Sequence, residues 1–285
     1  MLLKVLIQNT GRGGLKTGTG IPQDRWPLLA ERISAAQADV ALLQELEGWP
    51  ADGRRQTVRA EHDLDMDVLL APSRSGLGTG ALYRRTTLGR YAYWNADYAK
   101  DETHHGLGTA GFNIPGLPDP LAVTSLHCTP YSVDKAIIEV DFAASRSYKL
   151  GPYAIIGGDV NYPPQEGPEP DYVEMRPYNL GSRTVLTDPA EKAAPRPDRR
   201  VAWKLHANGF RDAAWELYQR TKDAALLAPT GTDDRIDQIW VSAPLVPALV
   251  AYTLLDTPED ASDHHGAMIT LDTDLIDTTT PWTYR

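Results

Sequence analysis

Tyr153-Ala154-Ile155-Ile156-Gly157-Gly158-Asp159-Val160-Asn161 is the stretch on which the reading of this chain turns. Tyr153–Ile156 is a run of strand-forming residues, closed by two glycines and then by an acid and an amide. In an extended segment residues two apart point to the same face, so Asp159 and Asn161 address one point in space. A strand that ends in this way presents chemistry at its rim.

Working outward, the same arrangement recurs. Short apolar runs of strand length lie at Leu2–Ile7, Val40–Leu43, Asp67–Ala71, Thr79–Tyr83, Thr109–Ile114, Leu121–Leu126, Ile236–Val241 and Ala267–Leu271. Asn9 follows the first, Gln44-Glu45 the second and His127 the run Leu121–Leu126, while near the C-terminus come Asp234-Arg235-Ile236-Asp237, at the start of one run, and Ser262-Asp263-His264, ahead of the last. If neighbouring strands end on one rim, these side chains converge, and Asp237 and Arg235 share a face by the same alternation. Carboxylates and amide carbonyls are hard donors that suit Mg²⁺ or Mn²⁺.

Helical spacing is clearest over Asp24–Ala38, with Trp26, Leu29, Ala30 and Ile33 on one stripe, and over Val133–Lys149. Many strands and few helices indicate an α+β sandwich in a single domain spanning 1–285. From Tyr162 to about Arg200 prolines are too frequent for an inner strand or a long helix, so a surface loop insertion with short helical turns is expected over 162–200.

The 285 residues carry 28 Lys+Arg against 38 Asp+Glu, a formal net charge of −10, which lacks the basic footprint of a high-affinity nucleic-acid binder. Metal-holding carboxylates are counted as negative in that sum, and bound cations would offset them. The one cysteine, Cys128, excludes an internal disulfide and a cysteine-based zinc site. No apolar run approaches the ~18 residues of a membrane span, and Met1–Asn9 reads as a strand in place of a signal peptide. A cytoplasmic monomer is the expectation.

Taken in order, Leu43-Gln44-Glu45, Ser125-Leu126-His127, Gly157-Gly158-Asp159-Val160-Asn161, Arg235-Ile236-Asp237 and Ser262-Asp263-His264 resemble the endonuclease/exonuclease/phosphatase superfamily. The resemblance implies a four-layer αββα sandwich of two packed mixed β-sheets flanked by helices, with the catalytic residues at one edge of the sheets. It implies a Mg²⁺- or Mn²⁺-dependent phosphoester hydrolase in which Glu45 is the principal metal ligand, assisted by Asn9, with Asp263 completing the shell. Asp159 would orient or deprotonate water and Asn161 would fix the phosphate. His264, held by Asp237, would polarise the phosphoryl oxygen, and His127 would stabilise charge in the transition state.

Members similar to exonuclease III carry a tyrosine where this chain has His127, an Asp where it has Gly11, and tryptophans where Leu226–Thr232 has none. The resemblance therefore turns from abasic-site repair to the histidine-bearing branch, although Leu77-Gly78 stands where the secreted nuclease has a glutamate. Expected substrates are nucleic acid, cleaved by a phosphodiesterase, or a small phosphorylated metabolite, inositol phosphate or lipid headgroup. A non-catalytic binding module of the same fold is the third reading.

Other features admit a bland and a functional reading. Gly11–Gly20 fails the Walker spacing and reads as a mobile loop beside the site, with Arg12 or Lys16 as phosphate contacts in the functional version. His104-His105 reads as exposed loop. Trp26, Trp215 and Trp240 read as core, Trp49 and Trp94 as candidates for substrate contact. Arg54-Arg55, Arg84-Arg85 and Arg199-Arg200 read as solvated surface or as a track for a nucleic-acid backbone.

Overall fold

In the computed structural model, residues 1–258 and 260–282 are described. In chain order the elements are β1 (Leu2–Asn9), α1 (Trp26–Ala36), β2 (Val40–Gln44), α2 (Arg55–Leu64), β3 (Asp67–Ala71), β4 (Thr79–Tyr83), α3 (Arg85–Leu88), β5 (Tyr93–Asn95), β6 (Leu107–Phe112) and β7 (Leu121–His127). There follow α4 (Val133–Ser147), β8 (Ala154–Asp159), α5 (Pro177–Arg183), α6 (Arg200–Ala207), β9 (Phe210–Asp212), α7 (Ala213–Thr221), β10 (Asp237–Ser242), β11 (Leu249–Leu255) and β12 (Gly266–Asp272). One six-stranded sheet has the order β11-β12-β1-β2-β4-β3, the other β5-β6-β7-β8-β10-β9. Both are mixed, because β1–β2 and β7–β8 pair in parallel and the remaining neighbours antiparallel.

Strand alternation sorts the side chains into layers. Leu3, Val5 and Ile7 of β1 point between the sheets and meet Val123 of β7, Ile155 of β8 and Ile239 of β10. Leu6 points the other way, with Ala41 and Leu43 of β2, onto Trp26, Leu29 and Ile33 of α1 and Ala60 and Leu64 of α2. On the far side Ala154 and Ile156 of β8 face Ala136, Val140 and Ala143 of α4 and Val201 and Leu205 of α6. The result is the αββα sandwich the motifs imply, and it explains why the central strands read as unbroken apolar runs: both their faces are buried.

Two glycines in β8 have no substitute. A Cβ on Gly157 would lie 2.6 Å from Cγ2 of Ile7 in the facing sheet, so its bareness lets the sheets close together near the rim. Gly158 has φ +145°, and a Cβ there would lie 2.0 Å from the Leu126 carbonyl oxygen of the parallel neighbour.

The strand β10 begins only at Asp237, so the alternation expected to bring Arg235 beside Asp237 does not reach back that far. Arg235 instead makes a buried two-point contact with Asp212, Nη1 to Oδ1 at 3.1 Å and Nη2 to Oδ2 at 2.5 Å. Removing one member strands the other charge in the interior. Arg235→Ala is expected to cost roughly 3–5 kcal/mol of unfolding free energy in a urea titration. A loss below about 1 kcal/mol would show that water replaces the guanidinium at no cost.

The insertion at 162–200 is irregular chain interrupted by α5 and a 3₁₀ turn at Pro189–Glu191. Helix α2 carries no apolar stripe in the sequence. Its inward positions are Gln56, Thr57, Ala60 and Leu64, so polar side chains occupy half of the buried face.

Candidate active site

The parallel and antiparallel pairings set the site. β1, β2, β7 and β8 end on one rim, and β10 and β12, running the opposite way, begin on it. Asn9 lies opposite Gln44, His127 opposite Asp159, and Asp159 opposite Asp237. Glu45 and His264 sit one and two residues outside β2 and β12.

Asp159 is the hub. Its Oδ2 accepts from Nδ2 of Asn9 at 3.0 Å and lies 3.4 Å from Nε2 of His127 and 4.0 Å from Nε2 of His264. Its Oδ1 accepts from the backbone N–H of Asn161 at 2.9 Å. His264 Nδ1 is 2.8 Å from Oδ2 of Asp237. Asn161, itself at φ +64°, donates through Nδ2 to the Cys128 carbonyl at 2.9 Å, which ties the end of β8 to the end of β7. Glu45 is likewise in the left-handed region, at φ +60°. A non-glycine residue held there costs on the order of 1–3 kcal/mol and persists only where its surroundings fix it. Here Oε2 of Glu45 accepts from the backbone N–H of Arg12 at 2.8 Å and Oε1 from Nδ2 of Asn9 at 3.3 Å.

Electrostatics differentiate these groups. Burial, then the neighbouring charge of Asp237, pushes Asp159 up to about 7, with Glu45 adding to the rise and His264 and Arg183 opposing it. Burial alone would lower His264, but the carboxylates of Asp237, Asp159 and Asp263 outweigh it and hold the imidazole well above its ordinary range. His127 is moved the other way, well below that range, by burial and then by His105 and His264. At neutral pH the site therefore pairs an imidazolium with a neutral imidazole on either side of Asp159.

A model of the endonuclease/exonuclease/phosphatase family matches residues 27–264. The chain belongs to that family. Among solved structures it is similar in fold to an endonuclease/exonuclease/phosphatase from Bacteroides vulgatus, at 13% identity and TM-score 0.64, covering 95% of this chain and 99% of that one. It is similar also to the AP endonuclease LMAP from Leishmania major (14%, TM-score 0.61, 95% and 87%) and to D. rerio TDP2 complexed with a single-strand DNA product (16%, TM-score 0.59, 95% and 99%). No curated protein sequence matches the chain.

Dependence on a divalent metal is general in the endonuclease/exonuclease/phosphatase family, and the donors on this rim fit such an ion. Asp159, Asp237 and His264 hold donor atoms within 4.8 Å of one another, and Oδ1 of Asp237 is buried without a hydrogen-bond partner among the described residues. Glu45 and the exposed Asp263 line the same cleft, of about 250 Å³. Hard carboxylate oxygens crowded in this way suit Mg²⁺ or Mn²⁺. Of the residues read as ligands, Asn9 has a different set of contacts from a ligand's. Its Oδ1 accepts from the Gly11 N–H at 3.0 Å, and it turns its NH₂ between Glu45 and Asp159.

Several expectations are corrected. His105 is not an exposed loop residue: it is buried and stacks on His127 with ring centroids 4.3 Å apart. The buried carboxylate of Glu139 pulls its loop inward, accepting from the backbone N–H of His104 at 2.8 Å and of Thr129 at 2.7 Å. Trp49 is fully buried, edge-on to Trp26 at 5.1 Å, and Trp94 lies over Gly108, and neither lines the cleft at the rim. Arg12 and Lys16 both pair with Glu47, at 2.9 and 2.6 Å, and Arg25 donates to the carbonyls of Gly11, Lys16 and Ala261, which anchors the glycine-rich loop. Arg85, Arg199 and Arg200 pair with Asp67, Glu169 and Asp198 within the chain, so two of the three basic pairs have a member engaged in the fold.

The residue missed in the sequence is Arg183. It closes α5, is 6% exposed, lines the cleft beside Asp159, and among the described residues no carboxylate or hydrogen-bond acceptor engages its guanidinium. No spacing rule marks a lone arginine in a proline-rich stretch.

Proposed function

We propose that the chain is a divalent-metal-dependent phosphodiesterase that cleaves by direct attack of water on phosphorus. The observation that carries this reading is the Asp159 carboxylate set between His127, at 3.4 Å, and His264, at 4.0 Å, at the edge of a cleft that Arg183 also lines. Asp159 takes the proton of the attacking water. His264, oriented by Asp237, donates a hydrogen bond to a non-bridging oxygen where charge gathers, and neutral His127 donates a second. Arg183 and the remaining N–H of the Asn161 amide bind the other phosphate oxygens. Glu45 and Asp263 would hold the metal ion, with Asn9 orienting Glu45. When bound, that ion offsets phosphate charge and lowers the pKa of coordinated water. No side chain forms a covalent bond to phosphorus in this scheme. Residues 1–285 then form one domain whose insertion supplies Arg183 to the cleft.

The test is hydrolysis across single- and double-stranded DNA, RNA, small diesters such as methyl 4-nitrophenyl phosphate, and phosphomonoesters, in Mg²⁺ and Mn²⁺. Turnover of diesters is the expected result. Turnover confined to soluble phosphomonoesters would replace the reading with a metabolite phosphatase, which the small cleft and the net charge of −10 favour. Turnover of neither class would overturn it.

A further inference from the structure

The catalytic cleft does not end at the phosphate site. Pro130 and Tyr131, after β7, and Tyr178 and Asn179, in α5, line it and also line a second cavity of about 470 Å³ completed by Gly181 and Ser182. Two aromatic rings from separate segments thus border both cavities, and both are bare, Tyr131 at 73% and Tyr178 at 66% exposure. Each is nevertheless anchored. Tyr131 packs at a near-right angle to His104, ring centroids 5.3 Å apart, and the Tyr178 hydroxyl accepts from Nη1 of Arg176 at 2.9 Å.

We propose that Tyr131 and Tyr178 form a slot for an unpaired nucleobase joined to the phosphodiester held beside Asp159, so that the substrate is single-stranded nucleic acid. The proposal rests on the phosphodiesterase reading above. Three features select this occupant. The slot shares four lining residues with the cleft that holds Asp159, the adjacency that a base one sugar away from the reacting phosphorus requires. Cations flank it on both sides, Arg176 and Arg183 on the insertion and Arg74 and Lys135 near His104, matching the phosphates on either side of a base. Paired bases have both faces covered by their stack, so only an unpaired or terminal base offers a face to a tyrosine.

The polar groups nearby are already committed, Asn179 Nδ2 to Asp233 at 2.8 Å and Ser182 Oγ to the Asn179 carbonyl at 3.3 Å. Little remains to read base edges. Recognition by stacking alone tolerates any sequence.

The experiment measures binding apart from turnover. Short single-stranded DNA carrying 2-aminopurine is titrated with the full chain, in Ca²⁺ in place of Mg²⁺, and followed by anisotropy and by base fluorescence. The expected result is quenching at one position and roughly tenfold weaker binding by Tyr131→Ala and by Tyr178→Ala, with Tyr178→Phe close to wild type. A strand with an abasic site at that position should bind wild type roughly tenfold more weakly, and equally weakly in all variants. Equal binding of base-bearing, abasic and duplex forms, alanine variants that bind as wild type does, or no binding at all would overturn the slot. Wild type that hydrolyses diesters yet ignores the base removes the slot and leaves the phosphodiesterase. Wild type that binds as described and hydrolyses no diester removes the phosphodiesterase and leaves the slot.

Discussion

Asp159→Ala is expected to lower kcat for phosphodiester hydrolysis by roughly 10²–10⁴-fold, the range for loss of a positioned general base. The effect should lie at the high end because the carboxylate has several partners. It receives hydrogen bonds from Asn9 and the Asn161 backbone and lies between His127 and His264, so its removal releases their orientation as well. Circular dichroism and thermal melting separate chemistry from folding, since a folded variant with wild-type rate would contradict the assignment. Asp159→Asn is the finer probe. It keeps the volume and one acceptor but cannot take the proton, so kcat should stay low while the fold is preserved.

The second large effect is expected at His264. Its imidazolium is held by Asp237 at 2.8 Å and faces the cleft, so His264→Ala removes a charged donor from the point where negative charge collects. A loss of about 10²–10³ in kcat is the expected size for one such donor. KM should move much less, because the bond strengthens in the transition state. Asp237→Asn should reproduce part of that loss through His264. In a double-mutant cycle the pair His264→Ala and Asp237→Asn should be far from additive, because one acts through the other. Additive losses would mean that Asp237 works on its own, through the carboxylate oxygen Oδ1 that has no partner among the described residues.

What the sequence discloses here, and what it withholds, follows from the range of the interactions involved. The inner strands were legible because each is buried on both faces and must be apolar throughout, and β3 and β4 run over the residues expected. The rim residues were legible because each stands at the end of such a run or just beyond it. The three strands not foreseen, β5, β9 and β11, are two short edge pieces of three residues and an edge strand, where burial imposes little pattern. Helix α2 hid its inward face behind Gln56 and Thr57.

The misread residues share another cause. His105 lies in a polar stretch, and only the carboxylate of Glu139, 34 positions later in the chain, draws its loop against His127. Arg12 and Lys16 look like phosphate contacts until Glu47 folds back on both. Arg183 and the two tyrosines come from a turn and an insertion with no periodicity, where position is decided by long-range packing. Local pattern locates the side chains that gather on the rim; it does not locate Arg183, Tyr131 and Tyr178 around them.

The central claim, hydrolysis of a phosphodiester by these rim residues acting with a bound divalent ion, has one direct test. A 5′-labelled single-stranded oligonucleotide is incubated with wild type and with Glu45→Gln in Mg²⁺, then with chelator added, then with Mg²⁺ restored in excess. The expected result is turnover by wild type that stops with chelator and resumes with the metal, and a Glu45→Gln variant slower by at least about a hundredfold at the same Mg²⁺. Wild-type turnover untouched by the chelator, or a Glu45→Gln variant as fast as wild type, would contradict it.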